Sequence, residues 1–222
     1  MKFDVLTLFP EMFEPLNKSI IGRAKEKELI NINLINIRDF SKNKHKKVDD
    51  TPYGGGAGMV MMPDVVYDAY KSLDYKDAKV IYMSPQGKVL NQEKVKSLSK
   101  EQHLILLCGH YEGIDQRVID EIVDEEISIG DYVLTGGEIP AMVLIDSVSR
   151  YIEGVISSES TNEESFSNNL LNNSSFEKSS LVLLPDSTPS PSLEGSSDFA
   201  PSELSLNISA NFASSSSSDI SA

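Results

Sequence analysis

The stretch Leu-Ile-Leu-Leu-Cys-Gly-His-Tyr-Glu-Gly, residues 104–113, joins an uninterrupted apolar run to a loop bounded by glycines. A short apolar run of this kind is typical of a strand buried inside a parallel sheet. Two similar units occur: the run at 78–83 leads into Ser-Pro-Gln-Gly, and a strand near 126–129 leads into Ile-Gly-Asp-Tyr-Val-Leu-Thr-Gly-Gly-Glu. Because parallel strands end at the same edge of a sheet, these three loops are expected to lie together.

Helical patterns separate the apolar runs. Strands are predicted at 2–8, 30–37, 78–83, 104–108 and 126–129. Helices are predicted to begin at Pro10 and to span 64–73, 92–98, 116–122 and 140–152. Repeated alternation of strands and helices predicts an α/β fold with a largely parallel sheet and helices on both faces.

Charge and composition change near residue 157. The 222-residue chain has a net charge of −14; residues 1–156 hold 19 basic and 25 acidic side chains, whereas 157–222 hold one basic and nine acidic ones. The second part also contains 23 serines, and such a composition buries too little apolar surface to offset the entropy of ordering. We therefore predict a folded domain over 1–156, a linker over 157–171 and a disordered Ser/Pro-rich tail over 172–222.

The cysteine content and the hydropathy of the sequence indicate the cellular compartment of the protein. Cys108 is the only cysteine, so an intramolecular disulfide and a Cys-rich zinc site are excluded. No apolar run approaches the ~18 residues of a membrane span, and the first residues lack the features of a signal peptide. These features predict a cytoplasmic protein without membrane contact.

The three glycine-containing loops are the candidate ligand site. Glycine lets the backbone approach a ligand closely, and the few cations in these loops favour a heterocycle over a polyphosphate. Each glycine alone could simply permit a turn, but three such loops together favour a site. A further Gly-rich stretch at 49–62 has neither Walker A nor Rossmann spacing, which disfavours an NTPase or a dinucleotide enzyme.

The basic segment, residues 38–47, contains five cations and one histidine. It could contact phosphates of a nucleic acid, or it could be a solvated loop. Its candidate contacts are Lys44, Lys46 and Lys47.

Several motifs together resemble bacterial tRNA (guanine-N1)-methyltransferases over 1–171. They are Asp-Asp-Thr-Pro-Tyr-Gly-Gly-Gly-Ala-Gly-Met-Val-Met (49–61), Ser-Pro-Gln-Gly (84–87), Leu-Cys-Gly-His-Tyr-Glu-Gly-Ile-Asp-Gln-Arg (107–117), the 129–138 loop and Leu-Ile-Asp-Ser-Val-Ser-Arg (144–150). The resemblance implies a SPOUT-type α/β fold with a deep trefoil knot and a homodimer. It also implies methyl transfer from S-adenosylmethionine to N1 of guanosine 37 in tRNA, with assistance from Mg²⁺ and without DNA as a partner.

The resemblance assigns roles to residues of the loops. Tyr111 and Glu112 are expected on the guanine side, and Cys108 is expected to be a buried strand-end residue rather than a nucleophile. The methyl donor is expected to contact Tyr82, Met83, Ser84, Pro85, Gln86, Gly109, Ile129, Gly130, Asp131, Tyr132, Val133 and Leu134.

Two residues are implied to carry the chemistry. Arg150 matches the family's catalytic arginine, although an arginine near a helix C-terminus also interacts favourably with the helix dipole. Glu164 occupies the place of the family's general base, and Glu163 takes that role if the match shifts by one residue.

The tail departs from the family's pattern. The family continues into a basic, helical tRNA-binding domain, whereas residues 172–222 contain a single basic residue, Lys178. This leaves an alternative function, a dimeric SPOUT domain that binds the donor with little or no catalysis.

Overall fold

The computed structural model describes residues 1–52, 54–157 and Ser160. All of them belong to the first of the two units into which the chain divides, Met1–Phe176. The predictions for Glu163, Glu164 and the tail at 172–222 therefore lie outside the described residues.

A five-stranded parallel sheet forms the centre of the fold. The described strands are β1 (Lys2–Thr7), β2 (Asn31–Asn36), β3 (Asp49–Asp50), β4 (Val60–Met61), β5 (Lys79–Val89), β6 (His103–Cys108) and β7 (Glu125–Ser128). The main sheet has the order β2-β1-β6-β5-β7, and every pair in it is parallel. The short β3 and β4 pair with each other in antiparallel fashion. The α/β prediction is confirmed, and the knot stays a prediction.

Helices cover both faces of the sheet, as predicted. They are α1 (Ser19–Glu26), α2 (Pro63–Lys71), α3 (Gln92–Leu98), α4 (Gln116–Ile122) and α5 (Glu138–Ser149). Successive side chains of a strand point to opposite faces, so Leu104 and Leu106 of β6 pack with α1, α3 and α5, whereas Ile105 and Leu107 pack with α2 and α4.

The helix predicted to begin at Pro10 is a 3₁₀ helix, Pro10–Asn17. Pro15 lies inside it, and a proline in the interior of an α-helix would remove a hydrogen bond and clash with the preceding turn. The α-helix α1 begins only after this segment, at Ser19. The predicted start of a helix at Pro10 is therefore confirmed, and its 3₁₀ type is added by the structure.

Two boundaries near the predicted loops also differ from expectation. β5 extends to Val89, and its pairing with β7 is interrupted between Met83 and Lys88, so the Ser-Pro-Gln-Gly loop is an irregularity within a long strand. Helix α5 begins earlier and ends earlier than predicted. Arg150 is consequently the cap that follows α5 rather than a residue within it.

Candidate functional site

A cavity of about 180 Å³ lies where β6 and β7 end and where the pairing of β5 is interrupted. We call it the strand-end cavity. Nine of the twelve residues predicted to contact the methyl donor line it: Tyr82, Met83, Ser84, Pro85, Gly109, Ile129, Tyr132, Val133 and Leu134. Gln86, Gly130 and Asp131 do not line it, and Gln86 instead borders a separate groove with Gln116 and Asp120. The three loops thus meet at one place, as their position after parallel strands predicts.

The strand-end cavity includes residues from both predicted sides of the reaction. Tyr111 and Glu112, expected on the guanine side, line the same cavity. Residues outside the predicted set of donor and guanine contacts also line it: His110, Gly113, Ile127, Ser128, Thr135, Gly136, Gly137 and Pro140. Most of these flank predicted residues in the same loops, but nothing in the sequence pattern indicated that Pro140 of α5 would contribute.

Tyr82 and Gly109 shape the cavity together. A Cβ on Gly109 would lie 2.8 Å from the Tyr82 hydroxyl oxygen, so any other residue at 109 would displace this ring. Burial, and then the charge of Glu126, raise the pKa of Tyr82 to about 12, with the backbone of Ile114 acting in the opposite direction. The phenol therefore remains neutral at physiological pH and contributes shape rather than charge.

Backbone groups form the contact between the second and third loops. The N–H of Gly137 donates to the carbonyl oxygen of Gly109 over 2.9 Å. A Cβ on Gly137 would lie 2.8 Å from the Cα of Cys108, so glycine is required for this close approach. The walls of the cavity are largely neutral, and the heterocyclic ligand stays a prediction.

The Gly-rich stretch at 49–62 supports the loop that follows β6. The N–H of Glu112 donates to the carbonyl oxygen of Met59, and the N–H of Met61 donates to that of Gly113, both over 2.9 Å. Gly58 has a φ of +88°, and a Cβ there would collide with the Glu112 side chain. The sequence analysis did not predict this structural role.

Cys108 has no exposed surface at the end of β6. Burial raises the pKa of its thiol well above the ordinary value, and the charge of Glu138 adds to the increase. The thiolate that a nucleophile requires is therefore strongly disfavoured. The prediction of a buried strand-end residue is confirmed.

The basic segment begins within a 3₁₀ helix, Ile37–Phe40, and continues into an exposed loop over 42–47. Several of its cations already have acidic partners: Lys46 Nζ lies 2.5 Å from Asp39 and Lys47 Nζ lies 3.5 Å from Asp50. Lys44 is exposed and forms no ion pair with any residue that the structure describes. The segment therefore presents less uncompensated charge than its composition indicates.

Arg150 lies at the C-terminal end of α5, where its backbone N–H donates to the carbonyl oxygen of Asp146 over 3.3 Å. It is half-buried and does not line the strand-end cavity. Its position agrees with the helix-dipole interpretation, and the catalytic role implied by the resemblance stays a prediction.

Metal and membrane features were sought in the part of the chain that the structure describes. Within residues 1–52 and 54–157, no group of three or more His, Cys, Asp and Glu side chains is arranged to hold a metal ion. None of the described helices is both long enough and apolar enough to cross a membrane.

A family model described as tRNA (Guanine-1)-methyltransferase TrmD matches residues 1–196. The chain belongs to the TrmD family. The match confirms the resemblance carried by the motifs and extends it beyond residue 171, the end of the range over which the resemblance was predicted. It includes every loop of the strand-end cavity and also Arg150, Glu163 and Glu164.

Similar proteins carry the corresponding name. A tRNA (guanine-N(1)-)-methyltransferase of Ruminiclostridium cellulolyticum is 67% identical over 176 residues, which cover 77% of this chain and 76% of the relative. The protein of the same name in Clostridioides difficile is 58% identical over 177 residues, covering 77% of each chain. That of Alkaliphilus oremlandii is 60% identical over 181 residues, covering 77% of this chain and 73% of the relative.

Proposed function

We propose that the chain transfers a methyl group from S-adenosylmethionine to N1 of the guanosine at position 37 of tRNA. The observation that carries this proposal is the strand-end cavity, which is built from the loops whose sequences are characteristic of the TrmD family. Proteins 55–67% identical to this chain are named tRNA (guanine-N(1)-)-methyltransferase, which supports the proposal.

The strand-end cavity fits a bound nucleoside better than a phosphate chain. Gly109 and Gly137 leave backbone accessible at its wall, and the neutral phenol of Tyr82 adds an aromatic surface. These groups would hold adenine and ribose of the donor, which supplies an electrophilic methyl group on sulfonium sulfur. Holding the two reactants in line removes much of the entropic barrier to methyl transfer.

Glu164 and Arg150 are proposed to act on the guanine. Glu164 takes the proton from guanine N1, while the fixed charge of Arg150 stabilises the negative charge that develops on O6. N1 then forms a bond to the methyl carbon as the carbon–sulfur bond breaks and sulfur keeps the electron pair. Glu163 is the alternative base.

The remaining parts of the proposal concern partners and location. We propose that the chain acts on tRNA as a homodimer in the cytoplasm and that it has the family's knot. No step of the mechanism is assigned to Mg²⁺.

A methyl-transfer assay tests the proposal directly. The full chain and S-adenosylmethionine with a labelled methyl group are mixed with unmodified tRNA that carries guanosine at position 37. The same tRNA with adenosine at that position is the control. We expect label in the guanosine transcript alone, and donor binding without transfer would support the alternative of a binding domain, which the comparisons do not favour.

A further inference from the structure

A second cavity of about 140 Å³ adjoins the strand-end cavity and shares His110, Thr135 and Gly136 with it. Glu138, the first residue of α5, also lines the second cavity, and only 1% of its surface is exposed. A buried carboxylate requires compensation, because the loss of water around a charge is costly. The first turn of a helix supplies part of it through the helix dipole.

One carboxylate oxygen of Glu138 connects α5 to β1. The hydroxyl of Thr7, at the end of β1, donates to Glu138 Oε1 over 2.9 Å, and both residues are buried. The Thr7 oxygen in turn accepts a hydrogen bond from the N–H of Phe9 over 2.9 Å. Glu138 is therefore fixed to the central sheet through a residue 131 positions away in the chain.

The other carboxylate oxygen lies on the side of His110. A Cβ on Gly136 would collide with Glu138 Oε2 and would lie 2.8 Å from His110 Nδ1, so the two groups border the same small space. His110 Nδ1 is buried and makes no hydrogen bond to any described residue. The imidazole ring packs against Phe9 and Tyr111, with ring centroids 5.0 and 5.1 Å apart.

We propose that Glu138 is a positioning residue for the methyl donor, an inference that rests on the proposed function. Through Thr7 it fixes residues 135–137, one wall of the strand-end cavity, to the sheet. Across Gly136 its carboxylate faces His110, which belongs to the loop carrying Tyr111 and Glu112. Glu138 thus sets the distance between residues 135–137 and the loop that carries Tyr111 and Glu112. It does so without touching the reacting atoms.

The test compares variants of the full chain by calorimetric titration with S-adenosylmethionine and by thermal unfolding. Glu138→Ala is expected to weaken donor binding about tenfold. Thr7→Val is also expected to weaken donor binding, whereas Thr7→Ser, which keeps the hydroxyl group, is expected to retain the donor affinity of the parent chain. Glu138→Gln should bind within about threefold of the parent chain, since its amide can accept from Thr7 and donate to the imidazole.

Asp4 provides a matched control for the loss of a buried carboxylate. It lies on the same strand as Thr7, has no exposed surface and contacts Lys2, Asn33 and His103 rather than the cavity. Asp4→Ala is expected to lower the unfolding temperature while the folded protein keeps the donor affinity of the parent.

Four outcomes would overturn the inference. Parent-like donor affinity in folded Glu138→Ala, or a loss of affinity in Asp4→Ala as large as that in Glu138→Ala, would overturn it. If Glu138→Ala does not fold, equal donor affinity in Thr7→Val and Thr7→Ser would overturn it instead. A parent chain that binds no donor would refute the proposed function first, and this inference with it.

Discussion

The strand-end cavity and the basic segment differ in the physical property through which each would bind a ligand. The cavity is lined by loops at strand ends, where glycines bring backbone groups into contact and a neutral tyrosine adds surface. The lysines of the basic segment are exposed and would bind phosphate groups through their charge. Asp39 and Asp50 already offset part of that charge. Shape governs the first region and charge governs the second.

This difference determines how each region responds to change. A cavity defined by close backbone contact loses its ligand when one atom is added, because the protein interior has little space to relax. An exposed charged segment loses affinity gradually, because each phosphate contact contributes a similar and salt-dependent increment. Predictions for the chemistry and for the two regions follow from this contrast, beginning with the largest effect.

Removal of the proposed base should slow methyl transfer without changing ligand binding at the strand-end cavity or at the basic segment. Glu164→Gln is expected to lower the single-turnover rate of methyl transfer by about 10²–10⁴-fold, because a positioned base contributes that much. Arg150→Ala should also slow this step, since it removes the charge near O6. Donor affinity, measured by calorimetry, is expected to stay unchanged in both variants.

Glu163→Gln is the matched control for the base, since it makes the same change one residue earlier. A near-normal rate is expected. If Glu163→Gln instead loses the rate and Glu164→Gln keeps it, the base is Glu163.

An added side chain should close the strand-end cavity. Gly109→Val is expected to weaken binding of S-adenosylmethionine by about 100-fold, or ~2.7 kcal/mol, because its Cβ alone would lie 2.8 Å from the Tyr82 hydroxyl. Calorimetry measures the affinity, and thermal unfolding verifies that the variant is folded. Parent-like donor affinity in the folded variant would disprove the assignment of this cavity to the donor.

Two lysines test whether the basic segment acts through uncompensated charge. Lys44→Ala is expected to weaken tRNA binding several-fold and to reduce the slope of log K against log salt by about 1, as for one lost phosphate contact. Lys46→Ala should have a smaller effect, because its ammonium group already contacts Asp39 at 2.5 Å. Filter binding over a salt series measures both, and equal effects would contradict the role given to the ion pair.

Truncation should have the smallest effect. Deleting 172–222 is expected to leave donor binding and the dimer unchanged, because the segment is rich in serine and poor in apolar residues. RNA affinity should be unchanged or slightly higher, since the acidic tail repels phosphate within a Debye length of ~8 Å at physiological salt.

A second truncation that keeps residues 1–196, the range of the family match, is the control. One outcome is that the chain that ends at 171 loses donor binding or dimer formation while the chain that ends at 196 keeps both. In that case residues 172–196 contribute to the functional domain. Such a result would refute the prediction that the tail is dispensable.

Local patterns were sufficient for the architecture. The apolar run of β6 and the helical pattern of α3 predicted a strand and a helix with nearly correct ends, because the hydrophobic pattern is a local feature of the sequence. The irregular course of β5 was not predicted, since it depends on how this strand pairs with β7. The 3₁₀ type of the helix at Pro10–Asn17, which Pro15 favours, was not predicted either. The motif residues also identified the family, which the comparisons confirm.

The sequence by itself determined the parallel α/β sheet, the edge at which its loops gather and most residues of the strand-end cavity. Only the tertiary structure decided that Glu112 is supported by the Gly-rich stretch, that Lys46 is paired with Asp39 and that Thr7 bonds to Glu138. Strands and loops follow from the hydrophobic period and the glycines of neighbouring residues, which are visible in one segment. Contacts between residues as far apart as 7 and 138 exist only after the sheet has brought them together, because no local pattern encodes the partner of a buried polar atom.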